Sequence, residues 1–278
     1  MRRKHWILVC LLLAGILGWI VSGLSSGDRI PGSEPAQLVA GTTYQDTVTL
    51  SRVLDNLWIH ESYVDGTLEL TPVNGLVVVG EAAVLLVNTT ATDASMSSLL
   101  QLVENTFHLP CEAVLLTSAS AACTAGIPAA REAGLSLFAT ERTRAGMENP
   151  AGVAVLQMDE QGVLPALLPE WQLEMPETRM KTTLPESAHP DGVPDDPLLF
   201  PQIGVLYARS LFQAIDGPLP DLMTPEDVQA WEGHLREWLL LHPALDRCIP
   251  GSGQWGTQEL MTYTADRLYD SLPKAYRK

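Results

Sequence analysis

A layered α/β sandwich is the fold class this sequence predicts, and three observations carry it. Blocks rich in β-branched and apolar residues open the body of the chain, helix-like and strand-like segments alternate through its middle, and a strand, a turn and a final amphipathic helix close it. With 278 residues and 46% apolar side chains, the chain is long enough to bury one substantial core.

The body begins near Thr47. The runs VTLSRVLDNLWIHESY and GLVVVGEAAVLLVN read as antiparallel strands, the second broken in hairpin fashion at Gly80 and Glu81. In TDASMSSLLQLVENTF, Thr92 or Asp93 caps a helix whose apolar residues Met96, Leu99, Leu100 and Val103 recur at spacings of three and four. EAVLLTS follows as a buried strand. A short helix is expected over 129 to 133, stopped by Gly134, with another strand over 135 to 139. The proline-rich stretch between Pro165 and Pro201 admits only short or edge strands. QIGVLYARSLF reads as a strand, PEDVQAWEGHLREWLLLHP as a helix begun by proline, DRCIPGSG as a strand ending in a turn, and QELMTYTADRLYDSL as a closing helix.

The N-terminus carries a targeting signal: Arg2, Arg3 and Lys4 precede an apolar run from Trp6 to Val21, and small polar residues follow. Residues 1–27 are expected to be a signal peptide or membrane anchor, 28–47 a linker rich in Gly, Ser, Thr and Pro, and 48–278 the domain. The apolar run is slightly long for a cleaved signal and slightly short for a spanning helix of about 20 residues, so both fates stay open. Either way the domain is expected outside the cytoplasm, in the periplasm or an equivalent exported compartment.

Lys and Arg total 17 against 33 Asp and Glu, a net charge of -16, and three of the positive charges belong to the N-terminal signal. An acidic field of this size repels phosphate backbones, so nucleic acid is excluded as a partner. Beyond Cys10 in the signal, Cys111, Cys123 and Cys248 make an odd count for an oxidising compartment and read as buried small apolar residues.

The segments WIHESY, NGLVVV, the Thr-Asp pair before the first helix, GIPAAREAG and the late IPGSG, in this order and at these separations, resemble the metallo-β-lactamases of the exported class B type. The resemblance runs from about Val48 to Leu272. It implies an αββα sandwich with a two-zinc site in loops at one edge of the sheets. In that family the strand corresponding to EAVLLT ends in H-x-H-x-D; here SASAA stands in its place, putting Ser118 and Ser120 where the histidines would be and Ala122 where the aspartate would be. The remaining ligand positions fall on His189, Ser210 and Ser252, and the position that grips the substrate carboxylate falls on Gln213.

Catalytic zinc takes three protein ligands from imidazole, thiolate or carboxylate and activates a water at the fourth position. Serine does not replace them, because its hydroxyl is hard to deprotonate at neutral pH. The resemblance therefore implies a fold kept and a zinc centre lost: no cofactor is expected, and the role is that of an inactive pseudoenzyme binding an unidentified ligand or protein. Three enzymatic alternatives stand beside it. Residual metal chemistry needs ligands recruited from Asp191, Asp195 or Asp196; a Ser-His site uses the replacement serines with His189; a thiol dyad uses Cys123 with His189. His60, His108, His234 and His242 share no ligand spacing and read as structural or solvated.

Overall fold

The computed structural model describes residues 48–65, 70–176, 180, 184–189, 193–215, 217–219 and 223–277. The expected signal and linker, and Asp191, lie outside the described residues. No helix among the described residues is long and apolar enough to cross a membrane.

Strands β1 (Val48–Leu54), β2 (Leu57–Asp65), β3 (Leu70–Val79) and β4 (Val84–Val87) pair antiparallel in sequence order. Helix α1 (Asp93–Phe107) then crosses to β5 (Cys111–Leu116), and short helices α2 (Ala121–Thr124) and α3 (Ile127–Glu132) lead to β6 (Ser136–Ala139). Helix α4 (Glu141–Ala145) precedes β7 (Val153–Val155), and β4 to β7 run parallel, completing a seven-stranded sheet. A second sheet of three strands has β10 (Arg247–Pro250) parallel to β9 (Val205–Ala208), which pairs antiparallel with β8 (Leu198–Phe200). Helix α5 (Pro225–Leu241) precedes β10, and α6 (Glu259–Ser271) follows it.

Alternation along the strands builds the layers. Leu76, Val78, Leu85, Val87 and Leu115 face Phe200, Val205, Tyr207 and Ile249 of the second sheet, forming the core between sheets. The intervening Val77, Val84, Leu86, Val114 and Leu116 face Met96, Leu99 and Val103 of α1 and Ile127 and Ala130 of α3. On the other side, Leu206, Ala208 and Cys248 pack against Trp231, Leu235 and Trp238 of α5 and Leu260, Met261 and Ala265 of α6. Helix, sheet, sheet, helix is thus the order of layers, as expected.

Local chemistry sets the helix ends. Thr92 caps α1 through its hydroxyl on the Ser95 amide, and Thr224 caps α5 in the same way on Asp227. Several expected boundaries move. The short helix runs 127–132 rather than 129–133, and Gly134 takes φ 80 just beyond its end. The strand read in QIGVLYARSLF ends at Ala208, and Leu211 and Phe212 leave the sheet to join the core of the second helical layer. Helices α2 and α4 were not visible as periodic segments, being four and five residues long. No disulfide joins Cys111, Cys123 and Cys248.

Candidate functional site

Parallel strands end their carboxyl edges at loops, and in this molecule the ends of β4, β5 and β6 meet the ends of β9 and β10 along one rim. Below that rim lies a polar network that fastens the sheets together. Asn88, in the left-handed region at φ 63, accepts the Thr117 amide at 2.9 Å and donates to Thr117 Oγ1 at 2.9 Å and Tyr207 Oη at 3.0 Å. Tyr207 donates in turn to the Asn74 carbonyl at 2.7 Å, and Asn74 Nδ2 donates to the carbonyls of Pro250 at 2.9 Å and Gly253 at 2.8 Å. Burial pushes the Tyr207 hydroxyl well above the usual phenol range, keeping it a donor.

Asp195 is the centre of the rim. Its Oδ2 accepts the amides of Arg209 at 2.9 Å and Ser210 at 3.2 Å, and its Oδ1 lies 3.0 Å from His189 Nδ1, in ion-pair range but not aligned as a hydrogen bond. Burial alone would raise the pKa of this carboxyl, but its contact with His189, together with Arg209 and Ser210, holds it below the ordinary carboxylate value. Backbone pairing brings in the β5 end: Ser118 forms a bridge with Asp195, Ser118 Oγ donates to the Pro194 carbonyl at 3.4 Å, and the Ser120 amide donates to Ser118 Oγ at 3.3 Å.

Ser118, Ser120, His189 and Ser210 therefore gather around one buried carboxylate. Ser252 stands in the turn between Gly251 and Gly253, and this turn packs on Arg209 so closely that a Cβ on Gly251 would lie 2.6 Å from Arg209 Cγ. Ala122 is half-buried on α2, and Gln213 is half-buried with its amide donating to Thr264 Oγ1 at 3.1 Å; neither touches Asp195. The residues that organise the rim, Asp195, Asn88, Thr117 and Tyr207, include three the sequence did not single out. Asp195 entered only as one of three acidic residues in a loop, because nothing local marks which of them turns inward.

Asp196, next along the chain, points the other way. Its carboxylate accepts from Thr140 and Thr143 hydroxyls, the latter at 2.6 Å, and pairs with Arg142 at the start of α4, while its amide donates to the Thr117 carbonyl at 2.7 Å.

His60, read as structural or solvated, is fully buried: Nε2 sits 3.3 Å from the Val87 carbonyl, and desolvation lowers its pKa to about 4 against the hydrogen bonds it makes to the backbone of Val87 and Asn88. It belongs to the sheet beneath the rim. His234 is buried on α5 and accepts from Trp238 Nε1 at 3.3 Å.

An αββα sandwich with its polar site on the rim where both sheets end is the architecture of the metallo-β-lactamase fold, and the chain has that fold. Among curated proteins it is similar to the type 2 metallo-β-lactamase of Bacillus sp. strain 170, 25% identical over 275 residues, covering 96% of this chain and 99% of the relative. A type 2 metallo-β-lactamase of Bacillus cereus is 24% identical over 265 residues, covering 94% and 96%. Among solved structures, a metallo-β-lactamase from Erythrobacter litoralis superposes with a TM-score of 0.66 at 18% identity, covering 87% of this chain and all of that one. One from Pseudomonas aeruginosa, in a mono-zinc form, has a TM-score of 0.66 at 18% identity, covering 82% and 97%. No family model matches the chain.

Proposed function

We propose that this protein is an exported metallo-β-lactamase-fold pseudoenzyme, without a zinc centre, whose role is to bind rather than to hydrolyse. The observation that carries the reading is the filling of the rim by Asp195. Around it stand three hydroxyl side chains and one imidazole, and among the described residues no three of His, Cys, Asp and Glu come together as a metal-holding group. That donor set does not fit a catalytic zinc, which needs three strong ligands and an open fourth position. Ser118, Ser120 and Ser210 are 0%, 1% and 0% exposed, so they line no open cleft from which a β-lactam carbonyl reaches a nucleophile. The basic N-terminus with its apolar run supports export, and the acidic charge favours a cationic or neutral partner over nucleic acid.

The test is the metal content of the purified domain together with turnover of a chromogenic β-lactam in added zinc. Absence of stoichiometric zinc and of turnover is the expected result; stoichiometric zinc with hydrolysis overturns it.

A second reading rests on the Asp195–His189 contact, which has the form of an acid orienting an imidazole base, with the unpartnered Ser120 hydroxyl in the same cluster. It makes the protein a metal-free hydrolase. A fluorophosphonate probe that labels Ser120 would establish it; the pseudoenzyme reading expects no label.

A further inference from the structure

The parallel strands have a second edge, the amino one, about 20 Å along β5 from the serine rim. A groove of about 630 Å³ lies there, between the end of α1, the turn into β5 and the residues that follow α3. Leu100, Leu109, Pro110 and Leu135 give it an apolar wall, and Glu104 and His108 line it as polar side chains. That volume suits a small organic molecule.

Three observations give the groove a negative end. Helix α1, 15 residues long, finishes at it with no basic residue in its last turn, so the partial negative charge of its terminal carbonyls stands without a Lys or Arg beside it. Glu104 of that last turn is exposed and lines the groove. Glu112 acts on the same place, since burial pushes the Cys111 thiol in the groove wall up to about 12 and the Glu112 charge pushes it the same way. Between Asp93 and Ala139 the sequence holds Asp93, Glu104, Glu112 and Glu132 against Arg131 alone, and the Arg131 guanidinium donates to the Ala151 carbonyl rather than lining the groove. His108 is the one lining side chain able to carry positive charge.

We propose that this groove binds a small organic cation, an ammonium group carried on an apolar body. The body lies on Leu100, Leu109 and Leu135, and the ammonium meets Glu104 and the carbonyl end of α1. An anion of the same shape meets that field as repulsion. The site is separate from the serine rim, and the inference holds whether or not the rim is inert.

Calorimetry on the purified protein with phenylbutylamine, phenylbutanol and phenylbutyrate tests it. The amine is expected to bind about tenfold more tightly than the alcohol at low salt, and the carboxylate more weakly than either, because a helix end and an exposed carboxylate together contribute on that order. Glu104→Gln keeps the side-chain shape at an exposed position and is expected to weaken the amine about threefold while leaving the alcohol unchanged. Ala133→Trp, also at an exposed lining position, fills the groove and is expected to abolish binding of all three. Equal affinity for amine and alcohol overturns the proposal, as does absence of amine binding. Amine binding that survives both variants places the cation elsewhere on the acidic surface and overturns it too. Zinc content and β-lactam turnover enter none of these readouts, so a failure here is distinguishable from a failure of the proposed function.

Discussion

At the residue scale the chain hides charged and polar groups where the sequence shows only ordinary letters. His60 has its folded pKa lowered to about 4 by burial, against 6.5 for the unfolded chain. Between those values the unfolded state binds more protons than the folded one, so stability is complete above pH 6.5 and falls as acid is added, by about 3 kcal/mol down to pH 4. Replacing His60 by Asn should flatten urea midpoints across that window; an unchanged slope would place the titration elsewhere. Asp195 adds to the loss only further down: its pKa is depressed, so its contribution is present above the ordinary carboxylate value and disappears as the pH falls through the folded one. Gly75 explains why the imidazole fits at all, since a Cβ there would lie 2.3 Å from His60 Nε2 and 2.5 Å from the Val87 carbonyl. Gly75→Ala should cost about 1–3 kcal/mol by overpacking, read as a lower urea midpoint.

At the element scale the caps and strand ends were legible to different degrees. Thr224 before Pro225 is a local signal, a capping residue followed by proline at the first helical position, and the helix begins there. Thr224→Ala should lower stability by about 1 kcal/mol in a denaturant titration, with the fold unchanged. The apolar alternation that made β3, β4 and β5 strands also assigned their faces, since period two places successive side chains in the two different cores. The end of β9 was not legible: RSLF continues the apolar pattern past Ala208, but Ser210 turns its amide to Asp195 and Leu211 and Phe212 go to the helical layer. A long-range hydrogen bond ended that strand, and periodicity has no access to such a bond.

For the whole molecule, the decisive question is what holds the rim together. Hydrogen bonds from Asn88, Asn74 and Tyr207 join the sheets, and Asp195 joins the loop to β9. Added zinc is therefore expected to leave the melting temperature of the unaltered domain almost unmoved. The combined variant Ser118→His, Ser120→His, Ala122→Asp, Ser210→Cys and Ser252→His should gain about 2.7 kcal/mol at zinc a hundredfold above its Kd, seen as a zinc-dependent rise in melting temperature. A large zinc shift in the unaltered protein would reveal ligands not recognised here and end the pseudoenzyme reading.

The sequence by itself determined the layered α/β class, the capped helices and the run SASAA after β5, because each is written in consecutive residues or short periods. Tertiary structure alone decided that Asp195 turns to Arg209 and Ser210 while Asp196 turns to Thr140 and Thr143, that Asn88 ties Thr117 to Tyr207, and that Ser118, Ser120 and Ser210 are buried rather than lining an open cleft. Those outcomes depend on contacts between residues separated by 14 to 119 positions. Such contacts exist only once the two sheets have packed, and no local preference of the chain encodes them.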